Sequence, residues 1–153
     1  MKAGDVMTTG AATVKPSATL AEAARLMIEH RISGLPVVDD GGRLVGIVSE
    51  GDFLRREGGD RMRWIEAFLD SGSGAGDLSS RRVEDIMSTD IVSAGVETPL
   101  TEIVDAMERR SVKRVPIVDN GRVVGIVSRA NLLLALLRRA DNPQGTARSS
   151  EPG

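Results

Sequence analysis

The segment Leu35-Pro36-Val37-Val38-Asp39, followed by Gly46-Ile47-Val48-Ser49, returns later in the same chain as Val115-Pro116-Ile117-Val118-Asp119 and Gly125-Ile126-Val127-Ser128. Outward from these runs the likeness extends over Asp5 to about Leu54 and again over Asp85 to about Leu133, offset by about 80 residues before Gly41 and about 79 after it. Met7 matches Met87, Leu20 matches Leu100, Glu22 matches Glu102 and Met27 matches Met107. Two tandem copies of one unit point to a body of pseudo-twofold symmetry with a shared core and two related clefts. The places where the copies differ then bear on which cleft is equipped.

Each copy reads as strand, helix, strand, strand, helix, an α+β (mixed α/β) arrangement. Leu20, Ala23, Ala24, Met27 and Ile28 recur at helical spacing, and Thr19 with Glu22 gives a T-x-x-E capping signal at the helix start. In the second copy Leu100, Ile103, Val104 and Met107 take those places, with Thr98 able to cap and Pro99 suited to the first turn. Ahead of the helices lie short extended stretches at Ala12 to Val14 and Ile91 to Ser93. After them, Leu35 to Val38 and Leu44 to Val48 read as strands joined by the Asp39-Asp40-Gly41-Gly42 turn. The second copy gives Val115 to Val118 and Val123 to Val127 around Asn120-Gly121, a hairpin signal because both residues tolerate positive φ. These strands are too uniformly apolar for a half-exposed sheet, so helices are expected over much of both faces. Asp52 to Arg56 and Asn131 to Arg139 supply the closing helices, and the four matched methionines are expected to fill the core or line the helical interface, with no cofactor implied.

Between the copies, Asp60 to Asp70 can form an amphipathic helix with Trp64, Ile65, Phe68 and Leu69 on one side. Ser71 to Gly76 reads as a flexible linker. The expected division is 1–58 and 80–139 for the two copies, 59–79 for the helix and linker, and 140–153 for a disordered polar tail. The run Leu132-Leu133-Leu134-Ala135-Leu136-Leu137 is too apolar for a helix with one buried face, so part of it is expected to meet a second copy of the chain.

Composition narrows the function. A chain of 153 residues can bury a sizeable core, whereas one copy alone would be marginal. A net charge of −2 gives no electrostatic footprint for nucleic acid or an anionic membrane. The three aromatic residues, Phe53, Trp64 and Phe68, do not make a stacking platform for single strands. No apolar run is long enough to span a bilayer, and the N-terminus lacks a signal-peptide core. The absence of cysteine removes disulfide and thiolate chemistry and fits a reducing cytoplasm, where the chain is expected to reside. There is no zinc spacing, no nucleophile–base arrangement and no phosphate-cradling G-x-x-x-x-G-K-[S/T] loop, so neither catalysis nor a metal site is expected.

The runs Ser33 to Asp39 with Gly46 to Asp52, and Lys113 to Asp119 with Gly125 to Ser128, each resemble a CBS domain. Together they resemble a tandem CBS pair, or Bateman module, of the stand-alone prokaryotic type, over about residues 3 to 138. That resemblance implies a regulatory module without catalysis. It implies adenosine-containing ligands in clefts between the repeats, dimerisation into a flat disc of four units, and a separate effector protein.

The family's ribose motif is G-h-h-[S/T]-x-x-D, with h apolar, and the first repeat carries it complete with Ser49 and Asp52. By resemblance to the gamma subunits of AMP-activated kinase, that Asp works with a basic pair of the partner repeat, here Lys113 and Arg114. The same resemblance places the base among Ile91, Val92 and Val112, with Ile47 nearby. Such a site has a physical logic: a carboxylate accepts from ribose hydroxyls, cations neutralise phosphate, and an apolar slot takes the base. The twin site is depleted. Asn131 stands at the carboxylate position beside Ser128, Ser33-Gly34 replaces the basic pair, and Ala12, Thr13 and Ile32 would form the slot. His30 and Arg31 lie out of register with the phosphate pair.

Ser49 and Asp52 also make a plain helix cap with an acid in the first turn, and Lys113-Arg114 also suits a solvated helix end. The basic pair favours AMP, ADP or ATP over S-adenosylmethionine or adenosine, and Mg2+ can accompany the longer phosphates. No cofactor is required. A second reading is a constitutive protein–protein adaptor whose clefts hold no physiological ligand.

Overall fold

The computed structural model describes residues 1–54 and 75–142. The expected helix over Asp60 to Asp70 lies outside the described residues. The chain divides into two compact units, one of Ala12–Ile91 and one that joins Met1–Ala11 to Val92–Gly153. Each unit therefore borrows the segment that leads into the other repeat.

In the Ala12–Ile91 unit, helix α2 spans Leu20–His30, numbered after a short helix α1 at Ala3–Val6. Thr19 caps α2 as its T-x-x-E motif predicts, its hydroxyl accepting from the Glu22 amide at 3.1 Å. The helix ends on Arg31 in the left-handed region (φ 54°), and the Ile32 amide closes onto Met27 O at 2.9 Å. Strands β1 (Gly34–Val38) and β2 (Leu44–Ser49) pair antiparallel, with a bulge between Val37 and Val38. Their turn is held by Asp39, whose Oδ1 accepts from the amides of Gly41 (2.9 Å) and Arg43 (3.0 Å).

Val14 bridges β1 in parallel, donating to Pro36 O at 3.1 Å and accepting from Val38 N at 2.9 Å. On the far edge Ile47 exchanges backbone bonds with Ser88, at 2.9 and 2.8 Å. Helix α3 (Glu50–Leu54) follows β2 directly, and helix α4 (Ala75–Ser80) precedes a 3₁₀ turn at Val83–Asp85. Ala75 and Gly76, expected in a flexible linker, are the first residues of α4. Val14, Ala23, Met27, Leu35, Val37, Val48 and Val83 form the core of this unit.

The other unit repeats the plan. Strand β3 (Ala94–Gly95) runs parallel to β4 (Arg114–Asp119), which pairs antiparallel with β5 (Arg122–Ser128). The paired stretch ahead of the helix thus begins after Ser93, slightly later than the sequence suggests. Asn120 and Gly121 both have positive φ, 54° and 82°, as the Asn-Gly hairpin requires. Helix α5 (Leu100–Arg110) is preceded by Pro99 at the cap position. Thr98, expected to cap it, instead accepts from the Gly95 amide at 2.9 Å. The helix starts only at Leu100 with Pro99 itself at the cap position and not in the first turn, so Thr98 stands one residue outside the cap.

Helix α6 (Arg129–Asp141) lies beside α1, whose Ala3 and Val6 are buried in the same cluster as Ile103, Ile117, Val127 and Ala135. The lead segment is tied along its length. Ala3 N donates to Thr98 O (2.8 Å), Gly4 N to Val96 O (2.9 Å), and Thr8 exchanges bonds with Ile126. Each unit thus closes a core of its own around a borrowed segment. Burying a Val, Ile or Leu side chain contributes about 1.5–3 kcal/mol, so the lead segments are structural parts of these cores.

Candidate nucleotide site

The two copies of the G-h-h-S-x-x-[D/N] motif fold alike up to their last residue. Ser49 ends β2 and Ser128 ends β5, and each strand turns at once into a helix. In the first, Asp52 Oδ2 accepts from Ser49 N at 2.8 Å and from Ser49 Oγ at 3.1 Å. In the second, Asn131 Oδ1 accepts from Ser128 N at 2.7 Å and from Ser128 Oγ at 2.9 Å. Both residues act as the acceptor of a helix cap. The plain capping role anticipated for Ser49 and Asp52 is therefore real.

The amide arm separates them. Asn131 Nδ2 donates to Val6 O at 2.8 Å and to Thr8 Oγ1 at 3.1 Å, and the side chain is buried. Its carbonyl holds the cap and its amide holds the borrowed N-terminal segment. The neutral acceptor read from the sequence is thus a structural tie. Asp52 is half-buried and, as a carboxylate, carries no donor.

The remaining sequence-singled residues fall on both units. Ile47, Ser49, Asp52 and Ile91 belong to the Ala12–Ile91 unit, with Ala12, Thr13 and Ile32 of the twin site. Ala12 and Ile32 pack against that unit's core, whereas Thr13 is exposed. Val92, Val112, Lys113 and Arg114 belong to the other unit, as do Ser128 and Asn131. Val92 and Val112 pack against the same core there. Lys113 is exposed and lies beyond the end of α5, which closes on Ser111 in the left-handed region. Arg114 is half-buried and opens β4. Neither cation is part of the helix, so a solvated last turn does not describe them.

Two grooves escaped the sequence reading. One, of about 320 Å3, is lined by Val92, Ser93, Glu102, Asp105 and Arg109, with Arg109 Nε 3.0 Å from Asp105 Oδ2. Its counterpart, of about 490 Å3, is lined by Thr13, Lys15, Ser17 and Glu22. Lys15 Nζ lies 2.6 Å from Asp40 Oδ1, and this hydrogen bond, then the charge behind it, holds the Asp40 carboxyl below its ordinary range. Polar residues at helical spacing look like ordinary solvated faces in sequence, and only the fold shows that they border a groove. Among the described residues no group of acids or histidines is disposed to hold a metal. No described helix is long and apolar enough to cross a membrane.

The model of the CBS domain matches residues 3–59 and again 83–138. The chain belongs to the CBS-domain family. It is similar to the CBS domain-containing protein YhcV of Bacillus subtilis (strain 168), 33% identical over 128 residues, covering 84% of this chain and 80% of that one. Among solved structures it is similar to CBSX2, a CBS-pair protein from Arabidopsis thaliana, in complex with AMP. That likeness has a TM-score of 0.70 at 30% identity and covers 90% of this chain and 96% of that one. It is also similar to the CBS domain pair of MJ0100 in complex with 5-methylthioadenosine and S-adenosyl-L-methionine, with a TM-score of 0.66 at 25% identity, covering 91% and 98%. Enzymes among the relatives match this CBS pair over only 21–24% of their own length.

Proposed function

We propose that this CBS pair is a regulatory module that binds an adenine nucleotide and reports its occupancy to a separate effector protein. The observation that carries this reading is the contrast between the two motif ends. Asp52 sets a half-buried carboxylate at the head of α3, whereas Asn131 sets there a neutral amide that ties Val6 and Thr8. One equipped site per chain follows, with Ser49 and Asp52 for the ribose and Lys113 and Arg114 for the phosphate. Ile91, Val92 and Val112, with Ile47, would line the base. The pairing of these residues rests on the family resemblance, supported by the AMP carried by CBSX2 and the adenosyl compounds carried by MJ0100.

The phosphate cations favour a nucleotide over S-adenosylmethionine, because a charge-assisted bond to phosphate is worth about 1.5–3 kcal/mol. Binding would tie Asp52 to Arg114 and shift a pre-existing equilibrium of module shapes, which is how a module without catalysis signals. The chain would work in the cytoplasm as a homodimer joined through α6, whose Leu133 and Leu136 are 67% and 66% exposed. No resident cofactor enters this reading, and Mg2+ would arrive only with a longer phosphate chain.

Calorimetric titration with AMP, ADP, ATP and S-adenosylmethionine tests it, with Asp52→Ala and Arg114→Ala alongside. Binding near one per chain, lost in both variants, is the expected result. Two equivalent sites would overturn the demotion of the Asn131 site. No binding at millimolar ligand would favour the constitutive adaptor.

A further inference from the structure

The chain has no cysteine, so its sulfur is all methionine. Five of the six methionines lie among the described residues, and four of those occupy two pairs of repeat-equivalent positions. Met27 and Met107 are core residues, 7% and 8% exposed. Met7 and Met87 are half-buried and pack against the same two cores from the lead segments. Each sits on a buried glycine of a strand, Met7 on Gly125 of β5 and Met87 on Gly46 of β2. A Cβ at Gly125 would stand 2.6 Å from Met7 Sδ, and one at Gly46 would stand 2.7 Å from Met87 Sδ. The sulfur therefore fills the place that a side chain on the strand would take.

The residue after each methionine makes the backbone bonds that fasten the lead segment to its strand. Thr8 N donates to Ile126 O at 2.8 Å, and Ile126 N to Thr8 O at 3.0 Å. In the other unit Ser88 N donates to Ile47 O at 2.8 Å, and Ile47 N to Ser88 O at 2.9 Å. Ile126 and Ile47 are in turn the residues after Gly125 and Gly46. Each sulfur thus lies one residue from the bond pair on both sides of the seam. At the N-terminal seam the same stretch also supplies Val6 O and Thr8 Oγ1 to the buried Asn131. A half-buried thioether at such a place is open to small oxidants, and its packing matters to the bonds beside it.

We propose that Met7 and Met87 are sites of reversible oxidation, and that their sulfoxides loosen the two lead segments from their strands. The oxidant is hydrogen peroxide. The sulfur lone pair attacks one peroxide oxygen, an S–O bond forms as the O–O bond breaks, and the second oxygen leaves with both protons as water. The sulfur is oxidised by two electrons and the peroxide is reduced by two. The product is a polar, chiral side chain. Its oxygen needs hydrogen-bond partners that a glycine and apolar core neighbours do not supply, so the sulfoxide moves out towards water and draws the segment with it. A thiol-dependent sulfoxide reductase reverses the step, the oxygen leaving as water while two thiols join in a disulfide. Met27 and Met107 are shielded by burial and stay reduced. Neither Met7 nor Met87 has a part in the nucleotide reading, so the two proposals stand or fall separately.

The test is treatment of the full chain with hydrogen peroxide, followed by peptide mass mapping, amide hydrogen exchange and urea denaturation. Wild type is compared with the double variant Met7→Leu, Met87→Leu. Met7 and Met87 should convert to sulfoxide while Met27 and Met107 stay reduced. Oxidised wild type should have a lower urea midpoint than the reduced protein, and about tenfold faster exchange at the amides of Thr8, Ile47, Ser88 and Ile126. Leucine keeps most of the volume, so the double variant should fold and hold its midpoint and exchange pattern in peroxide. A sulfoxide reductase should restore the wild-type midpoint. Oxidation of all four methionines together would overturn the proposal. So would an unchanged midpoint and exchange pattern in protein oxidised at Met7 and Met87, an equal loss in the leucine variant, or a reductase that restores nothing. Should the double variant not fold, exchange at those four amides in oxidised against reduced wild type decides alone.

Discussion

Asn131 donates its side-chain amide to the backbone carbonyl of Val6 at 2.8 Å, joining positions 125 residues apart. The same side chain accepts from Ser128 N and Oγ, so every polar atom of a buried group has a partner. Asn131→Asp keeps the shape and the cap but removes both donors, leaving a carboxylate oxygen facing a carbonyl. We expect a loss of about 3 kcal/mol at neutral pH, read by urea denaturation. In this variant the folded-state pKa of the new carboxyl is raised above its unfolded value. The deficit is therefore fully present above the folded pKa and shrinks as pH falls towards the unfolded one. The variant should not gain a nucleotide site, although it restores the motif's acid.

Asp52→Asn separates the capping role of Asp52 from the role proposed for it at the ribose. Asn131 demonstrates that an amide oxygen can accept both serine bonds, so the cap and the fold should survive, with stability changed by less than about 1 kcal/mol. Nucleotide affinity should fall by at least about tenfold, because the charged acceptor for the ribose hydroxyls is gone. Unchanged affinity in a folded Asp52→Asn protein would leave Asp52 with a capping role alone.

Gly46 and Gly125 lie against the sulfur of the lead-segment methionines. A Cβ at Gly46 would stand 2.7 Å from Met87 Sδ and 3.1 Å from Ser88 O, and one at Gly125 would stand 2.6 Å from Met7 Sδ and 3.0 Å from Thr8 O. Methionine can give way, but the backbone carbonyl is held by its own strand bonds. Gly46→Ala and Gly125→Ala should each cost about 1–3 kcal/mol in chemical denaturation. Pairing Gly46→Ala with Met87→Ala should recover only part of the loss.

Leu133, Leu136 and Leu137 are 67%, 66% and 57% exposed on α6, while Ala135 of the same helix is buried. Leu133→Glu with Leu137→Glu should convert a dimer to a monomer by light scattering at micromolar concentration, with helix content kept. A wild-type monomer under those conditions would remove the proposed interface.

The alternation of apolar runs with Asn-Gly, and the T-x-x-E signal at Thr19, were legible because each depends on a few adjacent residues. The hairpin needed positive φ at Asn120 and Gly121, and those residue types allow it. What stayed hidden was set by partners distant in sequence. Asn131 reads as a weakened acid until Val6 and Thr8 are brought beside it. Lys113-Arg114 reads as a helix end until Ser111 closes α5 and Arg114 enters a strand. Thr98 reads as a cap until Gly95 claims its hydroxyl. The assignment of Met1–Ala11 to the second repeat's unit was likewise not written in any local pattern, because its ladder partners are Thr98, Val96 and Ile126.

That assignment sets an order on the ribosome. The Ala12–Ile91 unit holds all its parts once residue 91 has been made, and it can fold while synthesis continues. The other unit waits. Its first piece, with Ala3 and Val6 destined for a buried core, emerges before anything it fits, and α6 arrives last. At about 5–20 residues per second that interval is on the order of ten seconds, during which the segment carrying Ala3 and Val6 is exposed to chaperones and to other nascent chains.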